Sequence, residues 1–167
     1  AQRAGWMAWP VIVLLAVGGG VVAARRYRQN PDVNWQVRTY EAALWAREST
    51  APEAIFGYKD AGVFGYFSDR RTVNLDGIVN NLAYQQALRD GRLGEYLRSN
   101  GVEYLVIYDQ PDGSGSETFI MKYPCRLHPG VTGSVRLRRD DAVFRSGKFP
   151  SMDGSTASIV IYRLPRD

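Results

Sequence analysis

The feature that most constrains the fold is a strand–helix–strand pattern in the middle of the chain. The apolar run Ile55–Tyr58 predicts a short strand, and Ala61–Phe67 predicts a short helix after it. Asp60 stands just before that helix, where its side-chain oxygen can accept a hydrogen bond as an N-cap. A polar turn then leads into Thr72–Leu75, which predicts a second strand. Two strands joined through a helix pair in parallel with a right-handed crossover, so the pattern predicts a parallel sheet.

Three glycines, Gly57, Gly62 and Gly65, accompany this pattern. The last two lie three residues apart on one helix face, where the lack of side chains would let the helix approach the sheet closely. A phosphate-binding loop is the alternative. The spacing G-x4-G-x2-G, however, is neither the dinucleotide-binding pattern nor a Walker loop followed by Lys-Ser. We therefore expect these glycines to serve helix–sheet packing.

Helices and one buried strand surround this unit. A helix is predicted over Val33–Ser49, with Asp32 as its N-cap, and another over Asn80–Asp90. Apolar residues then continue at helical spacing up to an Asn-Gly stop signal at residues 100–101. Tyr104–Tyr108 is an almost continuously apolar and partly β-branched run, typical of a central parallel strand. The alternation of helix and strand predicts a small three-layer arrangement.

The pattern changes once this strand has ended at Asp109. Residues 111–116 are Pro, Asp, Gly and Ser, which predicts a flexible loop. Four strands are predicted beyond it, namely Thr118–Tyr123, Ser134–Leu137, Ala142–Arg145 and Ser158–Leu164. No crossover helix separates them, so we expect them to be antiparallel. The predicted fold class is α/β: one N-terminal transmembrane helix, then a small three-layer domain with a short parallel sheet extended by antiparallel strands.

The N-terminal segment Trp6–Ala24 contains no charged side chain. A helix over this segment would be about 28 Å long, close to the hydrocarbon thickness of a bilayer. Trp6 and Trp9 at one end and three arginines just beyond the other match the two membrane interfaces. A signal peptide ending in Val-Ala-Ala and a buried core helix are the alternatives. We predict a membrane-spanning helix within residues 1–28 and a separate domain over residues 29–167.

Three successive glycines, Gly18–Gly20, would weaken an isolated helix, whereas small residues favour packing between membrane helices. We therefore expect this helix to be the last span of a longer multi-spanning protein, with the bilayer and the other membrane helices as its partners. The arginines at its end favour a cytoplasmic location for the domain, although that tendency is summed over all the loops of a protein.

Charge and residue types exclude several function classes. The chain carries 21 basic and 17 acidic residues, and four of the basic ones lie before residue 29. The remainder, 17 against 17, is neutral, so binding to nucleic acid is not expected. A single cysteine, Cys125, and a single histidine, His128, allow neither an internal disulfide nor a zinc site with two histidines. We predict no metal site in the domain.

Three carboxylates, those of Asp60, Asp76 and Asp109, each follow a predicted strand. The carboxyl ends of parallel strands share one edge of the sheet, and ligands of open α/β folds bind at that edge. Asn80 and Asn81 come soon after Asp76, and such a cluster could bind sugar hydroxyls or a cation. The alternative is that each carboxylate only caps a helix or turn. The candidate substrate-binding residues are Asp60, Tyr66, Asp76, Asn80 and Asn81.

Two short motifs connect this stretch to a known family. The motif Asp60-Ala61-Gly62-x-x-Gly65-Tyr66-Phe67-Ser68 is followed by Asn74-Leu75-Asp76-Gly77-x-Val79-Asn80. Together they resemble the C-terminal extracytoplasmic region of bacterial multi-spanning glycosyltransferases of the GT-C type, which include mannosyl- and arabinofuranosyl-transferase-like proteins. The resemblance runs from the membrane helix through Val33–Ser49 to Tyr108, and nothing beyond Asp109 contributes to it.

The resemblance implies a polyprenyl-phosphate sugar as the donor, no cofactor in this fragment, and a glycan or lipid-linked sugar as partner. Whether a metal is needed stays open. It also implies an inner-membrane protein whose soluble domain is extracytoplasmic, and this outweighs the single arginine-rich flank. In that family the catalytic carboxylate lies in the first extracytoplasmic loop, which this chain lacks, so no catalytic residue is assigned.

We therefore expect the C-terminal part of an integral-membrane glycosyltransferase that uses a lipid-linked sugar donor. Its soluble domain would contribute substrate or acceptor contacts and not the catalytic residue. Two alternatives remain open. One is a single-pass anchored cell-envelope binding domain without enzymatic activity, and the other is a soluble nucleotide-using enzyme carrying an anchor.

Overall fold

A computed structural model describes residues 8–28, 31–78, 82–110, 116–151 and 153–165 of the chain. The helices are α1 (Ala8–Arg28), α2 (Pro31–Ser49), α3 (Ala61–Ser68), α4 (Leu82–Arg89) and α5 (Leu93–Ser99). The strands are β1 (Ile55–Tyr58), β2 (Arg71–Asn74), β3 (Tyr104–Asp109), β4 (Thr118–Pro124), β5 (Thr132–Arg138), β6 (Ala142–Arg145), β7 (Phe149–Pro150) and β8 (Thr156–Arg163). A 3₁₀ turn, Arg139–Asp141, stands between β5 and β6.

The main sheet is mixed, with its parallel strands at one side. β2, β1, β3, β8 and β6 lie side by side in that order, and β7 also pairs with β8. β1 pairs in parallel with both β2 and β3, which confirms the predicted strand–helix–strand unit. β8 runs antiparallel to β3, β6 and β7. The predicted fold class, α/β with a short parallel sheet extended by antiparallel strands, is therefore confirmed.

Helices α2 and α3 cover one face of this sheet. Ala42, Ala43 and Ala46 of α2 are fully buried, and their small side chains let the helix lie close to the strands. They pack on alternate strand residues, which include Phe56, Tyr58, Val106, Ile159 and Ile161. Phe64 attaches α3 to the same core, with its ring centroid 5.2 Å from that of Phe56.

Helices α4 and α5 and the β4–β5 hairpin cover the other face. The buried side chains of this second core include Leu75, Leu88, Leu105, Val160 and Tyr162. β4 and β5 form a two-stranded sheet of their own, so the hairpin lies over the main sheet, whereas the sequence predicted strands that extend it. Tyr123 and Leu137 are buried between exposed neighbours, because only one face of the hairpin meets the core.

The first helix, α1, is apolar and makes few contacts with the rest of the chain. Its window Trp9–Arg26 is long and apolar enough to cross a membrane, and none of it is buried. The alternative of a buried core helix is therefore wrong. A signal sequence has the same length and composition, so α1 is compatible with a membrane anchor or a signal peptide. Trp6 lies outside the described residues.

Two predicted helix caps are wrong. α2 begins at Pro31, which places Asp32 inside the first turn. Proline suits that first position because it has no N–H that would go unpaired there. Asp60 does precede α3, but its backbone (φ −109°, ψ 61°) is not extended as an N-cap requires, and its side chain makes no capping hydrogen bond. The carboxylate of Asp60 is thus available for other contacts.

The close approach occurs at Gly57, inside the strand, and not at Gly62 and Gly65, the two helix glycines for which it was predicted. Gly62 is exposed, and a Cβ built on it would have no atom within 4 Å, while a Cβ on Gly65 would reach an ordinary contact distance of 3.4 Å. Inside β1, however, a Cβ on Gly57 would lie 2.8 Å from Cδ2 of Leu105 and 2.9 Å from Cδ1 of Leu75. The second core therefore needs a glycine in the strand, and α3 does not need one for packing.

Candidate functional site

A cleft of about 240 Å³ lies at the carboxyl ends of β1 and β3. Its lining residues are Tyr58, Lys59 and Asp60 at the end of β1, Val106, Ile107 and Tyr108 of β3, and Met121 and Tyr123 of β4. The hairpin that covers the second face of the sheet thus also closes one side of the cleft. This is the edge at which open α/β sheets bind ligands, as the strand order predicted.

Asp60 supplies the carboxylate of this carboxyl-edge cleft. The residue is exposed, yet its carboxyl group is partly withdrawn from water, and this desolvation raises its pKa above the ordinary value. The charge of Lys59 lowers the pKa and that of Asp76 raises it, so these three side chains are neighbours at the edge. Within the described part of the chain, no group donates a hydrogen bond to the Asp60 carboxylate. Its oxygens can therefore accept hydrogen bonds from a ligand.

Tyr58 lies beside Asp60 and is buried. Its hydroxyl lies 3.2 Å from Oγ1 of Thr39 in α2. Burial raises the pKa of the Tyr58 phenol, the Thr39 hydrogen bond lowers it, and the nearby Asp60 carboxylate raises it further. Because the net shift is upward from an already high value, Tyr58 stays a neutral hydrogen-bonding group and cannot serve as a base at neutral pH.

Asp76, at the end of β2, is engaged by its own turn. Its Oδ1 accepts a hydrogen bond of 2.6 Å from the N–H of Ile78. The Asn74 amide donates to Asp76 Oδ2 at 3.3 Å, and Asn74 Oδ1 accepts from the Asp76 N–H at 2.8 Å. Such side-chain bonds to a backbone N–H two residues on define Asx turns. The turn-closing alternative is thus the one that the geometry favours for Asp76.

We predict that Asp76→Ala lowers the free energy of unfolding by about 1 kcal/mol, because the turn loses a side-chain acceptor. Asp76→Asn should keep most of that stability, since an amide oxygen accepts the same bond. Urea unfolding of both variants measures the difference. If the two variants lost equal stability, the carboxylate charge and not the turn would be what the fold needs.

Asp109, the third carboxylate that follows a predicted strand, is paired. It is buried at the end of β3, and Arg145 Nη1 of β6 donates to its Oδ2 at 2.7 Å. The pair reaches across β8, which lies between these two strands in the sheet. A buried carboxylate requires such a partner because an unpaired buried charge is costly. Asp109 therefore belongs to the sheet and does not line the cleft.

Of the remaining candidates, the one that the structure describes does not line the cleft. Tyr66 is 81% exposed on α3, packs edge-on against Phe67 at 4.9 Å, and does not line the cleft. Asn80 and Asn81 lie outside the described residues. Among the described residues, no group of three or more His, Cys, Asp or Glu side chains could hold a metal ion. Of the five candidates, Asp60 lines the cleft and Asp76 lies close to it.

Sequence reasoning missed the aromatic walls of the cleft. Tyr58 and Tyr108 were assigned only to strands, and Tyr123 only to a strand of unknown position. The end of each parallel strand is a signal that could have identified Tyr58 and Tyr108, since both stand next to a polar strand end. No local signal identifies Tyr123, because it reaches the cleft through the packing of the hairpin over the sheet.

Comparison with known proteins connects this architecture to one family. Residues 25–155 match the model described as a domain of unknown function, DUF8728. The match begins near the end of α1 and extends over α2 and the strands β1 to β7, as far as the loop before β8. No curated protein matches the chain. Because the matched segment covers well over half of its residues, the chain belongs to the DUF8728 family.

Proposed function

We propose that the domain is the membrane-anchored, extracytoplasmic terminal part of a glycosyltransferase that uses a lipid-linked sugar, and that the carboxyl-edge cleft binds a sugar moiety. The observation that carries the proposal is the Asp60 carboxylate, which stands in a cleft with tyrosine walls and accepts no described hydrogen bond. The resemblance of the two motifs around Asp60 and Asp76 to the GT-C family supports the same assignment.

The chemistry of the cleft suits a sugar. Carboxylate oxygens accept strong, charge-assisted hydrogen bonds from hydroxyl groups. The half-buried ring of Tyr108 provides apolar surface for the C–H face of a pyranose or furanose, and Lys59 adds a donor, while Tyr58 is 1% exposed and only backs the cleft. The volume of about 240 Å³ lies below the range of roughly 300–1,000 Å³ typical of drug-sized ligands. The cleft therefore fits one small polar ring better than a nucleotide.

In this proposal the catalytic step takes place in another part of the parent protein. The described lining of the cleft offers one carboxylate, a neutral phenol and an ammonium group, without a second carboxylate to share acid–base work. A polyprenyl-phosphate sugar would be the donor, and the domain would hold the donor or the acceptor sugar. A non-catalytic envelope-binding domain would use the same cleft. The envelope-binding domain and the glycosyltransferase part therefore differ in whether sugar transfer depends on the cleft.

Asp60→Asn tests the proposed function. The variant should bind polyprenyl-phosphate mannose or arabinofuranose about tenfold more weakly, because a charge-assisted hydrogen bond is lost. Binding is measured with the full chain in nanodiscs, and sugar transfer is measured in membranes containing the parent protein. Asp69→Asn is the matched control, since Asp69 is exposed at the other end of α3 and asparagine tolerates its left-handed backbone (φ 50°).

The stability of the Asp60→Asn variant distinguishes a ligand-binding role of Asp60 from a structural role. Desolvation raises the pKa of Asp60, so the folded state binds the proton more tightly than the unfolded state. Ionisation of Asp60 therefore lowers the free energy of unfolding once the pH has risen above the pKa of the folded state. Below the pKa of the unfolded state the group is protonated in both states and has no such effect. Asp60→Asn should match the parent stability near pH 3 and be equally or slightly more stable at pH 7. Unchanged binding and transfer by Asp60→Asn would contradict the proposed function.

A further inference from the structure

The direction of α2 determines which edge of the sheet lies near α1. Thr39, in the first half of α2, contacts Tyr58 at the carboxyl end of β1. Thr50, just after α2, receives hydrogen bonds from Arg70 immediately before the amino end of β2. α2 thus runs opposite to the parallel strands, and its first residues stand at the carboxyl edge.

The end of α1 must lie close to that edge as well. Arg28 ends α1 and Pro31 begins α2, and these residues are separated by three Cα–Cα steps. Three steps of 3.8 Å span at most about 11 Å. Thr39 is eight residues beyond Pro31, about 12 Å along the helix. The carboxyl-edge cleft therefore stands near the exit of α1, and the amino edge of the sheet stands farther away.

Apolar side chains protrude at the same edge. Ile78, Leu82 and Leu127 are 73%, 61% and 58% exposed. They flank, along the chain, the residues of one hydrogen-bonded junction, in which Gln85 donates to the Gly77 carbonyl at 2.8 Å and accepts from the Arg126 N–H at 3.0 Å. Ile78 and Leu127 each adjoin a residue of this junction in sequence, and Leu82 lies one helical turn before Gln85.

The opposite edge is less uniformly apolar. Two of its described loops, residues 50–54 and 99–103, expose no large apolar side chain, whereas Tyr66, 81% exposed, lies in the last turn of α3 toward that edge. At the carboxyl edge, Lys59 and Arg126 are balanced by Asp60 and Asp76. These four charges cancel, and the excess positive charge on this side is that of the arginines at the end of α1, so the contact of the edge itself with a bilayer would depend on its apolar residues.

We propose that the carboxyl edge is the membrane-facing end of the domain, with Ile78, Leu82 and Leu127 inserted in the interfacial layer of the bilayer. The inference rests on α1 being an anchor, as in the proposed function, but not on what the cleft binds. Side chains of this kind favour the boundary between headgroups and acyl chains. The carboxyl-edge cleft then opens beside the bilayer surface, so the ligands within its reach are headgroups of membrane-resident molecules.

The test uses single cysteines that carry an environment-sensitive NBD fluorophore on the full chain, reconstituted in phosphatidylcholine vesicles. Ile78→Cys and Leu127→Cys report on the carboxyl edge, and Glu53→Cys reports on the amino edge. Cys125 is 3% exposed, so the unsubstituted chain provides the labelling blank. Nitroxide lipids labelled near the glycerol should quench most of the emission at residues 78 and 127 and leave residue 53 unquenched.

Adding phosphatidylglycerol should not reverse that pattern, because Lys59, Arg126, Asp60 and Asp76 cancel and the arginines at the end of α1 favour anionic lipid on the same side. Quenching at residue 53 equal to or stronger than at residue 127 would overturn the inference. So would protection of residue 127 that depends on the protein-to-lipid ratio, because a second copy of the chain would then cover the patch. Flotation of the vesicles is a separate measurement. A chain that does not float with lipid has no anchor, and that result would overturn the inference whether or not the cleft binds sugar.

Discussion

A leucine in place of Gly57 is expected to lower the free energy of unfolding by about 3 kcal/mol. Even a Cβ at this position would lie 2.8 Å from a Leu105 methyl and 2.9 Å from a Leu75 methyl, and 3.3 Å from Val102. Both leucines are fully buried in the second core, so their side chains have little room to move aside. Alanine should cost less, because one added methyl requires the ends of the two leucine side chains to shift by only a few tenths of an ångström, which is within the little room they have. Guanidinium unfolding of both variants measures the series.

Gly62→Ala is the matched control for this prediction. Gly62 lies in α3 with open space where a Cβ would stand, so alanine adds no clash and removes the conformational freedom of glycine. The expected change is a gain of about 0.5–1 kcal/mol. If Gly62→Ala destabilised the chain as much as Gly57→Leu, α3 would have to approach the sheet through its glycines, contrary to the observed packing.

These two glycines show what the sequence could predict about the fold and what it could not. The parallel unit was predictable, because Ile55–Tyr58 and Tyr104–Tyr108 are apolar runs separated by helical patterns. The role of each glycine was not, because it depends on which core side chains meet the strand. Leu105 and Leu75 are 48 and 18 residues from Gly57 in sequence, and local spacing carries no information about such contacts. The position of the β4–β5 hairpin is unpredictable for the same reason.

Part of the candidate site was likewise predictable from the sequence and part was not. Strand ends predicted that Asp60 and Asp76 share an edge, and the pairing of Tyr58 with Asn74 puts each carboxylate two residues beyond the paired strand ends. The different engagement of the two carboxylates could not be predicted, since both stand at the end of a strand. Asp76 is followed by a glycine with φ of 78°, which allows its turn to fold back onto the side chain. Asp60 enters a helix directly, and its backbone angles turn its side chain away from capping.

Arg70→Met is expected to lower the free energy of unfolding by about 2 kcal/mol. The Arg70 guanidinium donates to the Arg47 carbonyl at 2.7 Å and to the Thr50 carbonyl at 2.8 Å, which are unsatisfied acceptors at the end of α2. A positive charge at a helix C-terminus also interacts favourably with the helix dipole. Methionine keeps the aliphatic volume and removes both effects, and thermal or urea unfolding measures the loss.

Arg71→Met is the matched control, because Arg71 is exposed on the edge strand β2, and the expected change is below about 0.5 kcal/mol. Arg70→Lys should recover only part of the stability, since a single ammonium nitrogen can replace Nη2 at the two carbonyls but not the bonds that Nε and Nη1 donate to Thr50 Oγ1 and the Asp69 carbonyl. Arg70 fastens the end of α2 at the amino edge, whereas the proposed sugar and membrane contacts lie at the carboxyl edge. Arg70→Met should therefore leave sugar binding unchanged at temperatures where the domain stays folded. A loss of binding equal to that of Asp60→Asn would mean that the two edges are coupled through α2.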